Sequence, residues 1–116
     1  LGDVYKRQAQ AKCKTLILKM GEKGSLTCRN LPKEDPRSFF SVDSFSEHVV
    51  DAVGSGDALL SYATLSLYVS KNEAISSILG SLAAAVECEY DGNIPVTPEH
   101  VLKKIDRLEK KANFNY

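Results

Sequence analysis

The segment Asp51-Ala52-Val53-Gly54-Ser55-Gly56-Asp57 holds the residues best suited to chemistry in this chain. Two glycines and a serine carry too little side chain to cover the backbone, so amide N–H groups can turn toward a ligand. A long apolar run follows at once, which puts those amides at a helix start, where peptide dipoles leave a partial positive charge. Donors fixed in that way suit a phosphoryl group in flight, whose negative charge is spread over several oxygens. Asp57 stands where a carboxylate could take a proton from the attacking hydroxyl. The plain alternative is a strand-to-helix turn in which Ser55 or Asp57 is only an N-cap.

Two other phosphate motifs are excluded. A dinucleotide fingerprint needs a third glycine after Gly54 and Gly56, and Leu59 occupies its place. A P-loop needs Gly-Lys-Ser/Thr after four spacer residues, which neither glycine cluster provides. The formal net charge of +0 gives no basic field for nucleic acid or an anionic membrane. No apolar run reaches the length of a membrane span. Cys13, Cys28 and Cys88 are an odd, widely spaced set without a Cys-x-x-Cys pair. They argue against a disulfide framework or a zinc site, and point to reduced thiols and a cytoplasmic location. Cys28 and Cys88 are expected to behave as core hydrophobes. His48 and His100 lack partners at catalytic or metal-binding spacing and are expected on the surface or in loops.

The elements that must hold these residues can be read from periodicity. Thr15 to Leu18 predicts a strand buried on both faces. Gly21-Glu22-Lys23-Gly24 is a tight turn into a second, hairpin-like strand over Ser25 to Arg29. Residues 30–38, with Pro32 and Pro36, form a loop. Phe39-Phe40 and Glu47 to Val50 are candidate short strands. From Asp57 the spacing becomes helical and apolar on nearly all sides, which predicts a buried helix. Asn72 caps a second helix running to about Cys88, whose Leu82-Ala83-Ala84-Ala85-Val86 segment permits close approach. Thr97 as N-cap and Pro98 at the first helical position open a last, amphipathic helix. Glu99 with Lys103 and Asp106 with Lys110 form i,i+4 pairs there, and its lysines read as a solvated face.

At 116 residues there is room for one modest domain. The order is strand, hairpin, strand, then three helices, an α/β arrangement short of strands. Two apolar helices need more sheet to cover them than these strands supply, so further chain or another subunit is expected against them. Residues 1–8 do not read like the rest and are set apart as a non-native remnant, the alternative being a frayed helix end. Residues 9–112 form the domain and 113–116 a tail.

Taken together, the Gly-x-Gly-Asp loop, its upstream aspartate, the apolar helix after it and the earlier Lys19-Met20-Gly21-Glu22-Lys23-Gly24 turn resemble the ribokinase-like (PfkB) family of carbohydrate kinases. The resemblance covers about residues 13–106. Asp51 to Asp57 is similar to the family's second signature, usually Asp-Thr-x-Gly-Ala-Gly-Asp. Thr15 to Ser25 is similar to its strand and nucleotide turn. The fold implied is the C-terminal portion of a three-layer α/β sandwich, with an incomplete sheet and packed helices. By this resemblance Asp57 is the catalytic base, and the amides of Ser55, Gly56 and Asp57, with Gly54 shaping the turn, form the anion hole. Lys19, Gly21 and Gly24 would lie along the ATP phosphates and ribose, Ser81 and Ala84 would wall the adenine, and Asp51 would order the loop and nearby cations. Plain counterparts exist for each: a hairpin turn for Gly21 and Gly24, a turn cap for Asp51, and helix packing for Ser81 and Ala84. Ala52 departs from the usual Thr and removes a loop hydroxyl. Tyr62 stands where a small residue is common.

The resemblance implies ATP-dependent phosphoryl transfer to a hydroxyl of a sugar or sugar phosphate, with ATP and Mg²⁺ as cofactors and room for a monovalent cation. No direct protein ligand to the metal is assigned. The first glycine signature, the sugar contacts and the lid would lie in an N-terminal half preceding residue 9, so these residues alone are expected to be inactive. A homo-oligomer is expected of the intact protein, with no nucleic-acid or membrane partner. The alternative is a noncatalytic nucleotide-binding or regulatory module of the same fold.

Overall fold

The computed structural model describes residues 2–32 and 34–114. The elements run α1 (Gly2–Ala11), β1 (Thr15–Lys19), β2 (Ser25–Arg29), β3 (Phe39–Val42), α2 (Ser55–Ser70), α3 (Glu73–Cys88) and α4 (Pro98–Phe114). A short 3-10 turn, Gly21–Lys23, joins β1 to β2.

The three strands form one antiparallel sheet in the order β1-β2-β3. Thr15 pairs with Arg29 and Lys19 with Ser25, so the Gly21–Gly24 turn closes a true hairpin. Ser25 in turn pairs with Val42. Gly24 is needed where the turn meets β3. Its φ is +88°, and a β-carbon there would stand 2.0 Å from the Val42 carbonyl oxygen. β2, the central strand, is the buried one, with Cys28 and Thr27 at 0% exposure. β1 lies at the edge of this sheet and is half-buried rather than enclosed on both faces. The strand expected over Glu47 to Val50 does not form. The Val50 and Asp51 amides instead donate to the Cys88 carbonyl at 2.7 and 3.0 Å, an anchor at the end of a helix rather than a ladder.

α3 is the hub of the molecule, touching α2, α4, β2 and β3. Asn72 caps it, its Oδ1 accepting from the Ala74 and Ile75 amides at 2.9 and 3.1 Å. Small residues let α2 and α3 approach closely: a β-carbon at Gly80 would meet the Ala63 methyl at 3.0 Å and the Leu59 carbonyl at 3.1 Å. Hydroxyls satisfy polar groups where α3 meets α2 and β2. Ser76 Oγ donates to the Ala63 carbonyl, and Thr27 and Ser77 share a hydrogen bond, each at 2.7 Å. Leu82, Ala83 and Val101 form the core between α3 and α4.

α2 begins at Ser55, two residues before the expected start. It is not buried on all sides, for Leu60, Leu65, Tyr68 and Val69 are 65–81% exposed. Its apolar surface exceeds what α3 and a three-stranded sheet can cover. Tyr62 is accommodated by a loop, its hydroxyl donating to the Val96 carbonyl at 2.7 Å.

α4 starts at Pro98 as expected. Thr97 Oγ1 accepts from the His100 amide, and His100 Nδ1 accepts from the Thr97 amide, a reciprocal cap. Lys110 pairs with Asp106 at 3.1 Å, but among the described residues Glu99 and Lys103 make no ion pair. The solvated lysine face fails at one position, because Lys104 is 1% exposed and gripped by two glutamates. At the other end of the chain, α1 runs unbroken across residues 8 and 9. Gln8 is buried, and its Nε2 donates to the Lys14 and Cys28 carbonyls at 3.1 and 3.5 Å. Leu1 and the last two positions of the expected tail lie outside the described residues.

Candidate functional site

The start of α2 has the geometry of an anion site. Gly54, at φ +85°, is the N-cap and supplies no side-chain acceptor to the helix. The Ser55 amide and Ser55 Oγ both donate to the Ala52 carbonyl, at 3.2 and 2.8 Å, which tightens the turn. Asp51 Oδ1 accepts from the Val53 amide at 3.0 Å and braces the same turn from its other end. Among the described residues the Gly56 and Asp57 amides make no hydrogen bond, so two donors at the positive end of the helix remain open.

Lys19 adds a full charge. Its Nζ lies 2.6 Å from where a β-carbon on Gly56 would stand. It has no carboxylate partner among the described residues. An ammonium beside a helix N-terminus meets charge of its own sign; an anion bound between them would relieve that repulsion. Asp57 is exposed, outside the apolar interior, and makes no side-chain hydrogen bond or ion pair among the described residues.

A cavity of about 420 Å³ adjoins this helix start. One side is the hairpin, with Lys19, Gly21, Glu22, Gly24 and Ser25. The facing side is Ser81, Ala84, Ala85 and Cys88 of α3, with Ser55 and Leu59 of α2 at one end and Ser44, Ser46 and Val49 above. Of the residues singled out from sequence, Lys19, Gly21, Gly24, Ser55, Ser81 and Ala84 therefore share one cavity. Gly56 lies beside Lys19 in a neighbouring hollow. Gly54, Asp51 and Asp57 do not line the cavity, although each is within four residues of Ser55.

Sequence reading missed several residues here. Cys88 is half-buried and lines the cavity rather than the core. The Ser25 hydroxyl is buried without a hydrogen-bond partner among the described residues. Glu87, 1% exposed, accepts from the Ile94 amide at 3.0 Å and lies 3.1 Å from a β-carbon position on Gly54. A carboxylate directly after the apolar Leu82–Val86 run, still within α3, was the available signal. It joins α3, the 91–94 loop and the N-cap of α2.

No protein-family model and no curated protein matches the sequence. Solved structures do. Ribokinase from Thermotoga maritima is 25% identical, with a TM-score of 0.72 over 87% of this chain. Ribokinase from Arabidopsis thaliana, solved with ribose and ATP, is 26% identical with a TM-score of 0.68 over 85% of this chain. Aminoimidazole riboside kinase from Salmonella enterica shares the fold at 18% identity, with a TM-score of 0.72 over 90% of this chain. The chain has a ribokinase-like carbohydrate-kinase fold, and it spans about a third of the length of these enzymes.

Proposed function

We propose that this chain is the nucleotide-binding and anion-hole part of an ATP-dependent kinase that phosphorylates a hydroxyl of a sugar or sugar phosphate. The observation that carries the reading is the single cavity shared by the Gly21–Gly24 turn, Lys19, the α2 start and the small residues of α3. The Arabidopsis thaliana ribokinase of the same fold was solved with ribose and ATP. Ser81 and Ala84 offer a flat wall to an adenine, the glycines let the triphosphate approach the hairpin backbone, and Lys19 faces its charge. The open amides of Gly56 and Asp57 would hold the transferring phosphoryl group. Asp57 would accept the proton of the attacking hydroxyl, and its exposure leaves room for a substrate on its far side.

Mg²⁺ would neutralise phosphate charge in such a reaction. Among the described residues no three His, Cys, Asp or Glu side chains converge. An ion carried mainly by the nucleotide's own oxygens would need no such cluster. Asp51, already bracing the loop, is the residue proposed to order cations there.

Calorimetric titration of the chain with ATP tests the first half of the reading; no heat at millimolar ATP counts against it. For the second half, Asp57→Asn in the intact enzyme should abolish most turnover while ATP affinity stays near that of the parent. Parent-like turnover in Asp57→Asn removes the base assignment. Nucleotide binding with no phosphorylated product from any alcohol favours the noncatalytic module instead.

A further inference from the structure

The proposed chemistry leaves one buried charged cluster unused. Lys104 of α4 is 1% exposed, and its Nζ lies 3.0 Å from Glu47 Oε1 and 2.6 Å from Glu89 Oε1. Arg107 reaches Glu89 and Lys111 reaches Glu47, each at 3.4 Å, from the outer side of the same cluster. A buried ammonium between two carboxylates is held firmly, since separating them leaves charges uncompensated.

Neither carboxylate lines the cavity, but each stands beside residues that do. Glu47 lies between Ser46 and Val49, which line its upper wall. That wall, residues 43–50, is irregular and has no strand partner to hold it. Glu89 follows Cys88, which lines the α3 side and whose carbonyl accepts the Val50 and Asp51 amides. Asp51 begins the loop that shapes the anion site.

We propose that Lys104 is a positioning residue that latches the 43–50 wall to the C-terminal end of α3, and so fixes the width of the cavity and the entry to the Asp51–Asp57 loop. Its consequence for catalysis rests on the nucleotide reading above, but the latch itself can be tested without a nucleotide. Cys88 reports the wall from inside and the fully buried Cys28 reports the core.

The test is native-state alkylation with iodoacetamide, read peptide by peptide by mass spectrometry. Glu47→Gln is the chosen variant, because Lys104→Met strands two carboxylates and could unfold the chain, whereas the Glu47 side chain is 28% exposed. Cys88 alkylation should rise about tenfold in Glu47→Gln, as for a locally opened segment, with Cys28 unchanged. In parallel, ATP should bind about fivefold more weakly, since a wall left to fluctuate must be ordered on binding. An unchanged Cys88 rate overturns the latch, and so does a joint rise at Cys88 and Cys28, which would mean global loosening. A parent chain that ignores ATP sinks the nucleotide reading, while the alkylation rates still decide the latch.

Discussion

Lys19 Nζ rests against Gly56, 2.6 Å from the place a β-carbon would occupy. The end of an edge strand and the first turn of a helix thus meet through an ammonium and a bare backbone. Neither the ammonium nor the Gly56 amide has a polar partner in the chain among the described residues. The missing side chain leaves the Gly56 amide bare beside that charge, and a methyl there would have to displace only the end of the flexible Lys19 side chain.

Gly56→Ala isolates that effect. Gly56 is not in the left-handed region, so alanine fits the backbone and folding stability should stay within about 1 kcal/mol of the parent. The added methyl pushes Lys19 away from the helix start. ATP affinity should fall about tenfold, which corresponds to about 1.4 kcal/mol. Calorimetric titration beside urea unfolding separates the two quantities. Unchanged ATP affinity would remove Lys19 and Gly56 from the site.

Gly54 answers to a different constraint. Its φ of +85° already disfavours a side chain, and a β-carbon would stand 2.2 Å from Asn93 Oδ1 and 3.1 Å from Glu87 Oε1. Asn93 is exposed and can swing away, but Glu87 is fixed by the Ile94 amide. Gly54→Ala should therefore cost about 1–3 kcal/mol in urea unfolding, from backbone strain and the crowded carboxylate together. Gly21 is the control. Its φ is +59° with open space around it, so Gly21→Ala should cost only about 1 kcal/mol, the strain alone. Equal losses in the two variants would show that the Glu87 contact does not matter.

The contrast between these glycines shows what the sequence could reveal. Local chemistry was legible: Asn72, Thr97 and Pro98 announce their helices, and the hairpin closes where Gly21 and Gly24 stand. Those signals work over three or four residues. Lys104 was misread because its partner Glu47 is 57 residues away, and nothing local distinguishes it from its solvated neighbours. The missing strand over Glu47 to Val50 has the same origin, since its Val50 amide is taken by a carbonyl of α3. The open face of α2 was misread because hydrophobicity predicts that a surface seeks cover, not that this chain provides it. At the site, residue types pointed to an anion at the α2 start, but Ser44, Ser46 and Cys88 around the cavity carry no pattern in sequence. They are brought together only when the hairpin packs beside α3.

Acid titration offers a test that needs no ligand. Asp35 accepts from the Arg37 guanidinium at 2.8 and 3.0 Å and from the Arg37 amide at 2.8 Å. The side-chain hydrogen bond, then the backbone one, pulls its carboxyl from 3.8 down to about 2. A carboxyl lowered by folding stabilises the fold in full above its unfolded value, and the contribution fades as pH falls through the folded value. For Asp35 that window runs from 3.8 down to about 2, and surface screening keeps its share of stability small. Glu47 is lowered too, chiefly by its hydrogen bond to Lys104, so acid should loosen the cavity wall as Glu47 takes up its proton. Carboxyl carbon shifts followed by NMR should place the Asp35 midpoint at about 2 in the parent chain. In Arg37→Ala the guanidinium bonds are gone but the backbone donor stays, so the midpoint should move only part of the way back. A parent midpoint at the ordinary carboxylate value would mean that the Asp35–Arg37 fork does not persist in solution.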